Sequence, residues 1–218
     1  MLQHAGLGKL VLASASPRRR EILAAAGLEF DVIPSAVREA QKPAEQAEEF
    51  VNRIALEKAM DILTRLPAPY RRPVLAADTV VVVERQMLGK PASPEDAARM
   101  LRLLSGKEHR VLTGVCLVMA REEGLAEKTI ARDLRLAVTT VRFAPLSETE
   151  IAEYVATGEP LDKAGAYGIQ GRASQFVESI HGCYFNVVGL PMALVYQMLQ
   201  KLGAETGRGE TTGRGIGL

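Results

Sequence analysis

The chain has 218 residues, of which 47% are hydrophobic and 24% are charged, a composition that excludes a collagen-like, coiled-coil or wholly disordered protein. The net charge of +1 excludes a global field that would hold nucleic acid or an anionic membrane. Tryptophan is absent, and no apolar run reaches the roughly 20 residues of a membrane span. We therefore predict neither a nucleic-acid partner nor a membrane partner.

Strands and helices alternate in the first half of the chain. The apolar run of residues 9–14 predicts a buried strand. Ser16 and Pro17 predict the start of a helix, because serine caps a helix well and proline suits its first position. Apolar residues at helical spacing predict a long helix over about residues 43–66. Residues 74–83 are apolar on both faces, which predicts a central buried strand.

The second half of the chain contains more strand. Residues 93–106 predict another capped helix, and residues 110–120 and 129–143 predict two paired strands. A capping box predicts a helix over residues 147–155, and a last amphipathic helix is predicted over residues 191–202. Together these elements predict an α/β fold, with an elongated mixed sheet flanked by helices and two lobes around a central cleft.

The domain organisation predicted from this pattern is simple. Residues 9–202 form a single domain, preceded by a flexible segment over residues 1–8 and followed by a glycine-rich disordered tail over residues 203–218. The first residues lack the charged and apolar stretches of a secretory signal. The isolated Cys116 and Cys183 predict buried, reduced thiols. We therefore expect a cytoplasmic protein.

A segment rich in arginine and serine stands where the first strand meets the first helix. Ser14 and Ser16 are followed by Arg18, Arg19 and Arg20. The N–H groups of a first helical turn bind phosphate oxygens, and guanidinium groups add bidentate donors. The segment therefore predicts a phosphate-binding site, although the same pattern also fits an ordinary helix start with arginines in solvent.

A carboxylate interrupts the predicted central strand. Asp78, followed by Thr79, stands among apolar residues, where a buried carboxylate requires a cation, a metal ion or hydrogen-bond donors. It can be a metal ligand or a general base that deprotonates water; otherwise it points to a sheet edge or caps a loop. Lys58 and Lys90 join this site only if the fold brings them to Asp78, since lone lysines are usually solvated.

Three glycines at a spacing of three residues follow in the second half of the chain. Gly165, Gly168 and Gly171 surround Tyr167 and Gln170. The pattern fits a close-fitting binding loop and, equally well, a hairpin with structural glycines. An amide such as that of Gln170 can donate and accept hydrogen bonds together, as recognition of a nucleobase edge requires.

In this order, the segments resemble the Maf family of nucleoside triphosphate pyrophosphatases, and within it the branch that acts on dTTP and UTP. The resemblance spans residues 10 to about 202. The matching stretches are LASASPRRREIL (12–23), EKA (57–59), AADTVV (76–81), LGKP (88–91), LSGKEHRVLTGV (104–115), DKAGAYGIQG (162–171) and NVVGLP (186–191).

The resemblance implies hydrolysis between the α- and β-phosphates of a nucleoside triphosphate, with a divalent metal cation, Mg²⁺ or Mn²⁺, as cofactor. Asp78 would be the catalytic general base and, with Glu39, a metal ligand. One segment departs from the family, which usually has Asp-x-Asp-Glu where residues 36–39 read AVRE. The substrate-binding residues that it implies are Ser14, Arg18, Arg19, Lys58, Thr79, Lys90 and Gln170.

Two other functions stay open. The chain could be a nucleotide-binding regulator of cell division or septum formation without significant turnover, or a purine-directed house-cleaning triphosphatase of similar architecture. Turnover and base preference across a nucleotide panel separate these from a dTTP/UTP pyrophosphatase. The predicted partner is a nucleoside triphosphate substrate, and the resemblance also implies a possible homodimer.

Overall fold

The computed structural model describes residues 9–67, 72–123 and 127–207. The predicted flexible segment 1–8 and the end of the predicted tail, 208–218, lie outside these residues. Within them the chain forms a mixed sheet flanked by helices, which confirms the predicted α/β class.

One seven-stranded sheet runs through the described residues. Its strands are β1 (Leu10–Leu12), β2 (Phe30–Val32), β3 (Val74–Val83), β4 (Gln86–Leu88), β5 (Glu108–Glu123), β6 (Glu127–Phe143) and β7 (Val177–His181). The order is β2-β1-β3-β5-β6-β7, with β4 paired to β3. β1 is parallel to β2 and β3, and the remaining pairs are antiparallel. The predicted central strand, β3, therefore lies inside the sheet.

Six α-helices occur in the described residues. They are α1 (Pro17–Ala25), α2 (Ala47–Arg65), α3 (Pro94–Leu104), α4 (Glu148–Ala156), α5 (Tyr184–Val188) and α6 (Met192–Gly207). Short 3₁₀ turns span Glu159–Asp162, Ala164–Ala166 and Arg172–Phe176. No helix in the described part of the chain is long and apolar enough to cross a membrane.

The predicted helix starts are confirmed by their caps. The Ser16 side chain accepts a hydrogen bond from the Arg19 backbone, with Pro17 in the first turn of α1. Ser93 caps α3 in the same way, and Ser147 forms the predicted capping box of α4. Each cap satisfies a backbone N–H that has no partner within its helix.

Two helix limits differ from the prediction. α2 begins at Ala47 rather than near residue 43, because Gln46 forms a capping box with Glu49. α6 continues to Gly207, five residues beyond the predicted end of the last helix at residue 202. Leu202 is buried in the core, and this packing outweighs the modest cost of a glycine next to it in a helix.

Strand β3 separates two layers of the core. Its even-numbered apolar residues, such as Ala76 and Val80, pack with residues of α2. Its odd-numbered residues, such as Ala77 and Val81, pack in a cluster that includes α1, α3 and α6. Because side chains alternate along a strand, Asp78 is directed toward α2.

Both cysteines are free thiols. Cys116 is fully buried, and burial raises the pKa of its thiol to about 12, so the thiol stays protonated and unreactive at neutral pH. Cys183 is half-buried rather than buried as predicted, because it lies in the turn that leads into α5, where its backbone N–H donates to the Thr139 hydroxyl.

Candidate active site

A cleft of about 810 Å³ opens beside β3. Its lining includes residues 13–19, residues 78–81 of β3, most of segment 159–171 and residues 187–189. Residues from both halves of the chain therefore line one cleft. The cleft brings together every residue that the sequence predicted for the site: Ser14, Arg18, Arg19, Glu39, Lys58, Asp78, Thr79, Lys90 and Gln170.

Asp78 is paired with a lysine. The Lys58 ammonium donates to Asp78 Oδ1 at 2.7 Å and to Glu39 Oε1 at 2.5 Å. Asp78 is 5% exposed and Lys58 7% exposed, whereas the Glu39 side chain is 41% exposed. Lys58 is therefore a buried residue of the site and supplies the cation that a buried carboxylate requires.

The two carboxylates on Lys58 differ in acidity. Burial raises the pKa of Asp78 above its ordinary value, and this exceeds the opposing effects of Lys58 and Arg19. Burial acts in the same direction on Glu39, but the charge and hydrogen bond of Lys58, helped by Lys90 and Arg19, lower its pKa overall. Asp78 is therefore the stronger base of the pair, as expected of a carboxylate that accepts a proton.

Lys58 reaches Asp78 because α2 lies unusually close to the sheet. Gly114 of β5 is the register partner of Asp78. A Cβ at Gly114 would lie 2.3 Å from the backbone oxygen of Val51 and 2.8 Å from the backbone nitrogen of Asn52. Glycine at this position thus permits the contact that places α2 over the strand pair.

Arg19 is held by hydrogen bonds to β3, to Ser14 and to Gly189. Its Nε donates to Gly189 O at 2.8 Å, one terminal nitrogen donates to Ala77 O at 2.8 Å and Ser14 Oγ at 3.1 Å, and the other donates to Thr79 Oγ1 at 3.1 Å. These bonds leave one N–H of the guanidinium for a ligand. Gly189 has a φ of +121°, a conformation that favours glycine, and its carbonyl accepts the Arg19 bond.

Arg18 joins two segments that line the cleft, the start of α1 and segment 159–171. Its guanidinium donates to Asp162 Oδ2 at 3.0 Å, and Asp162 Oδ1 accepts from Lys163 Nζ at 2.6 Å. The charge of Arg18 is thus partly compensated by a carboxylate that sequence analysis did not assign to the site. Asp162 and Lys163 stand in the glycine-rich motif, but their contact with Arg18 follows from the fold.

Lys90 and Gln170 present free polar groups to the cleft. Both residues are exposed and line the cleft. Within the described residues neither side chain has a hydrogen-bonding partner. Their polar groups are therefore available to a ligand, whereas those of Arg19 and Lys58 are mostly bound to other protein groups.

A buried aromatic cluster supports the glycine-rich side. His109 Nε2 and the Tyr167 hydroxyl are 2.9 Å apart, and both rings make edge contacts with Phe143. Tyr167 lines the cleft, whereas His109 is 2% exposed. This histidine, for which the sequence indicated no function, ties β5 to the segment that carries Gln170.

The buried His109 is expected to make stability depend on pH. Burial lowers its pKa from 6.5 to about 4, so the unfolded chain takes up a proton first as pH falls. The contribution of His109 to the free energy of unfolding is therefore fully present above pH 6.5. It decreases as the pH falls toward 4, by about 3 kcal/mol in total. Urea unfolding across this range should show a flatter pH dependence for His109→Gln than for the parent protein.

The exposed His181 of β7 provides the control for this measurement. His181→Gln should keep the parent's pH dependence between pH 6.5 and pH 4. If His109→Gln also kept the parent's pH dependence of stability, the burial of His109 would not be the source of that dependence.

Glu39 and Asp78 are the cleft carboxylates that the sequence predicted as ligands of a divalent cation. Across residues 9–67, 72–123 and 127–207, no group of three or more His, Cys, Asp or Glu side chains could hold a metal ion. Glu39 and Asp78 supply oxygen donors from two side chains. Mg²⁺ commonly binds through one or two carboxylates plus substrate phosphates, so this donor set suits a cation that arrives with a triphosphate.

Comparison with known proteins identifies a family and several relatives of the chain. Residues 9–202 match the model of the family described as Maf-like protein. A protein of Symbiobacterium thermophilum named dTTP/UTP pyrophosphatase is 49% identical, over 89% of this chain and 94% of its own. A protein of Geobacter sulfurreducens with the same name is 47% identical, over 90% and 98%. The solved Ham1 protein of Staphylococcus aureus is 14% identical, over 89% and 99%, with a TM-score of 0.46.

Proposed function

The chain belongs to the Maf family, and from this premise we propose that it is a nucleoside triphosphate pyrophosphatase acting on dTTP and UTP. Its products are the nucleoside monophosphate and pyrophosphate. The observation that carries the proposal is that the buried Asp78 carboxylate and the Ser14–Arg19 segment line one open cleft. The names of the relatives support the reaction and the substrates.

The triphosphate binds at the start of α1. The backbone N–H groups and the dipole of this helix attract phosphate oxygens. Arg19 contributes its remaining N–H from a guanidinium that is already oriented by four protein hydrogen bonds. Lys90, exposed at the cleft, supplies a further positive charge, which also acts on the nearby Glu39 carboxylate. Preorganised cations of this kind stabilise charge that develops during phosphoryl transfer.

Asp78 accepts the proton of the attacking water. Its raised pKa makes it a better base than an exposed aspartate, and Lys58 orients the carboxylate through Oδ1. A divalent cation held by Glu39, Asp78 and the phosphates would neutralise phosphate charge and lower the pKa of a bound water. The protein itself supplies the proton acceptor, the hydrogen-bond donors for the phosphates and the cleft around them.

Gln170 recognises the pyrimidine base. It lines the same cleft as the start of α1, and its amide can both donate to and accept from a base edge. Arg18 and Thr79 are substrate-binding residues nearer the phosphates. Arg18 reaches across to Asp162, so it links the phosphate side of the site to the base side.

A nucleotide panel tests the proposed function. Pyrophosphate release is measured for dTTP, UTP, CTP, GTP, ITP and 7-methyl-GTP, with Mg²⁺ and with Mn²⁺. We expect kcat/KM for dTTP and UTP to exceed that for the purine nucleotides by at least about tenfold, as a lost base hydrogen bond would give. Tight binding without turnover would favour a regulator, and a preference for ITP would favour a purine-directed enzyme.

A further inference from the structure

The Glu159 carboxylate and the Tyr154 phenol lie next to the segment that carries Gln170. The Tyr154 hydroxyl of α4 donates to Glu159 Oε1 at 2.9 Å and accepts from the Gly168 backbone N–H at 3.2 Å. Glu159 Oε2 accepts from the Arg172 backbone N–H at 3.1 Å. The pair therefore binds the backbone on both sides of Gln170.

Gly171 of this segment lies directly against the Glu159 carboxylate. A Cβ at Gly171 would lie 2.1 Å from Glu159 Oε1 and 2.5 Å from the carboxylate carbon. Tyr154 is 3% exposed, and burial raises the pKa of its phenol, which keeps the hydroxyl protonated as a donor. The absence of a side chain at Gly171 thus lets the backbone approach Glu159, not a ligand.

The geometry points to Glu159 and Tyr154 as positioning residues that determine which base the site accepts. They act by holding segment 168–172 so that the Gln170 amide faces the cleft. The inference rests on the proposed function, which assigns base recognition to Gln170. Both oxygens of Glu159 are used by protein donors, whereas the Gln170 side chain is exposed and free of partners within the described residues.

The substitution Glu159→Gln separates this role from simple packing. A glutamine has nearly the same shape, but it offers one carbonyl oxygen where the site has two donors, the Tyr154 O–H and the Arg172 N–H. Either the Arg172 N–H then faces an amide N–H and the backbone near Gln170 loses an anchor, or the Tyr154 hydroxyl turns to accept from the amide and its own O–H loses its acceptor. The phosphate side of the cleft and Asp78 keep all their contacts.

The experiment measures kcat and KM of Glu159→Gln for the same nucleotide panel. We expect the preference for UTP over GTP, as a ratio of kcat/KM, to fall by about tenfold, while kcat for UTP changes by less than about threefold. Gln170→Ala is the reference for complete loss of base recognition. Glu153→Gln, an exposed carboxylate of α4, is the matched control and should keep the parent's preference.

A second variant and a binding measurement keep the inference testable. Tyr154→Phe removes the acceptor for Gly168 and should lower the preference in the same direction, with the exposed Tyr196→Phe as its control. An unchanged preference in both variants, or an equal loss of kcat on every nucleotide, overturns the inference. If the parent protein turns over no nucleotide, the proposed function fails, and the preference is then measured as a ratio of Kd values. An unchanged Kd ratio in Glu159→Gln would overturn the positioning role separately.

Discussion

The substitution Asp78→Asn is expected to lower turnover of UTP by about a thousandfold, within the range that a general base contributes. Asparagine has the shape of aspartate, but it cannot accept the proton of water at neutral pH. Lys58 keeps its bond to Glu39, so the buried ammonium does not lose every partner. Nucleotide binding, measured by calorimetry, should persist, because the groups at the start of α1 that donate hydrogen bonds to the phosphates are unchanged.

Two measurements make the Asp78 result interpretable. Thermal unfolding verifies that the variant is folded, since breaking a buried ion pair is itself destabilising. The exposed Glu153→Gln controls for a carboxylate-to-amide change elsewhere and should turn over UTP normally. A folded Asp78→Asn protein that kept turnover within about tenfold of the parent would show that another group accepts the proton.

The substitution Gly114→Ala is expected to destabilise the protein by about 3 kcal/mol or more, at the upper end of what overpacking costs. The added methyl group would lie 2.3 Å from Val51 O and 2.5 Å from Val51 C. Both atoms are backbone, so α2 would have to move as a unit. Because α2 carries Lys58, this movement should also reduce turnover. Urea unfolding measures the loss of stability.

Gly89→Ala is the matched control for Gly114→Ala. A Cβ at Gly89 would meet nothing within 4 Å, and we expect the free energy of unfolding to change by less than about 0.5 kcal/mol. Coincident unfolding curves for Gly114→Ala and the parent protein would mean that the contact between α2 and β5 is looser than the structure indicates.

Several elements could be predicted because their signals are local. The helix start at Ser16 and Pro17 depends on a cap that reaches three residues along the chain. The run of residues 74–83 predicted a buried strand, and the limits of β3 are the same. The carboxylate of Asp78 stood out because its neighbours in sequence are apolar. Such signals need no knowledge of distant residues.

The helix limits show where local signals become insufficient. Glycine at 203 predicted the end of the last helix, yet α6 continues to Gly207. The burial of Leu202 in the core stabilises this end of the helix. Tertiary packing can outweigh a propensity cost of about 1 kcal/mol at one glycine.

The sequence by itself determined which chemical groups the protein has for its site and, through its motifs, the family to which it belongs. Only the tertiary structure decided that Lys58 is a buried partner of Asp78 and that Arg18 reaches Asp162. It also decided that the close packing of α2 on the sheet depends on Gly114. These contacts join residues 20 to 144 positions apart. Their geometry is set by how helices pack on the sheet, which no local pattern of residues encodes.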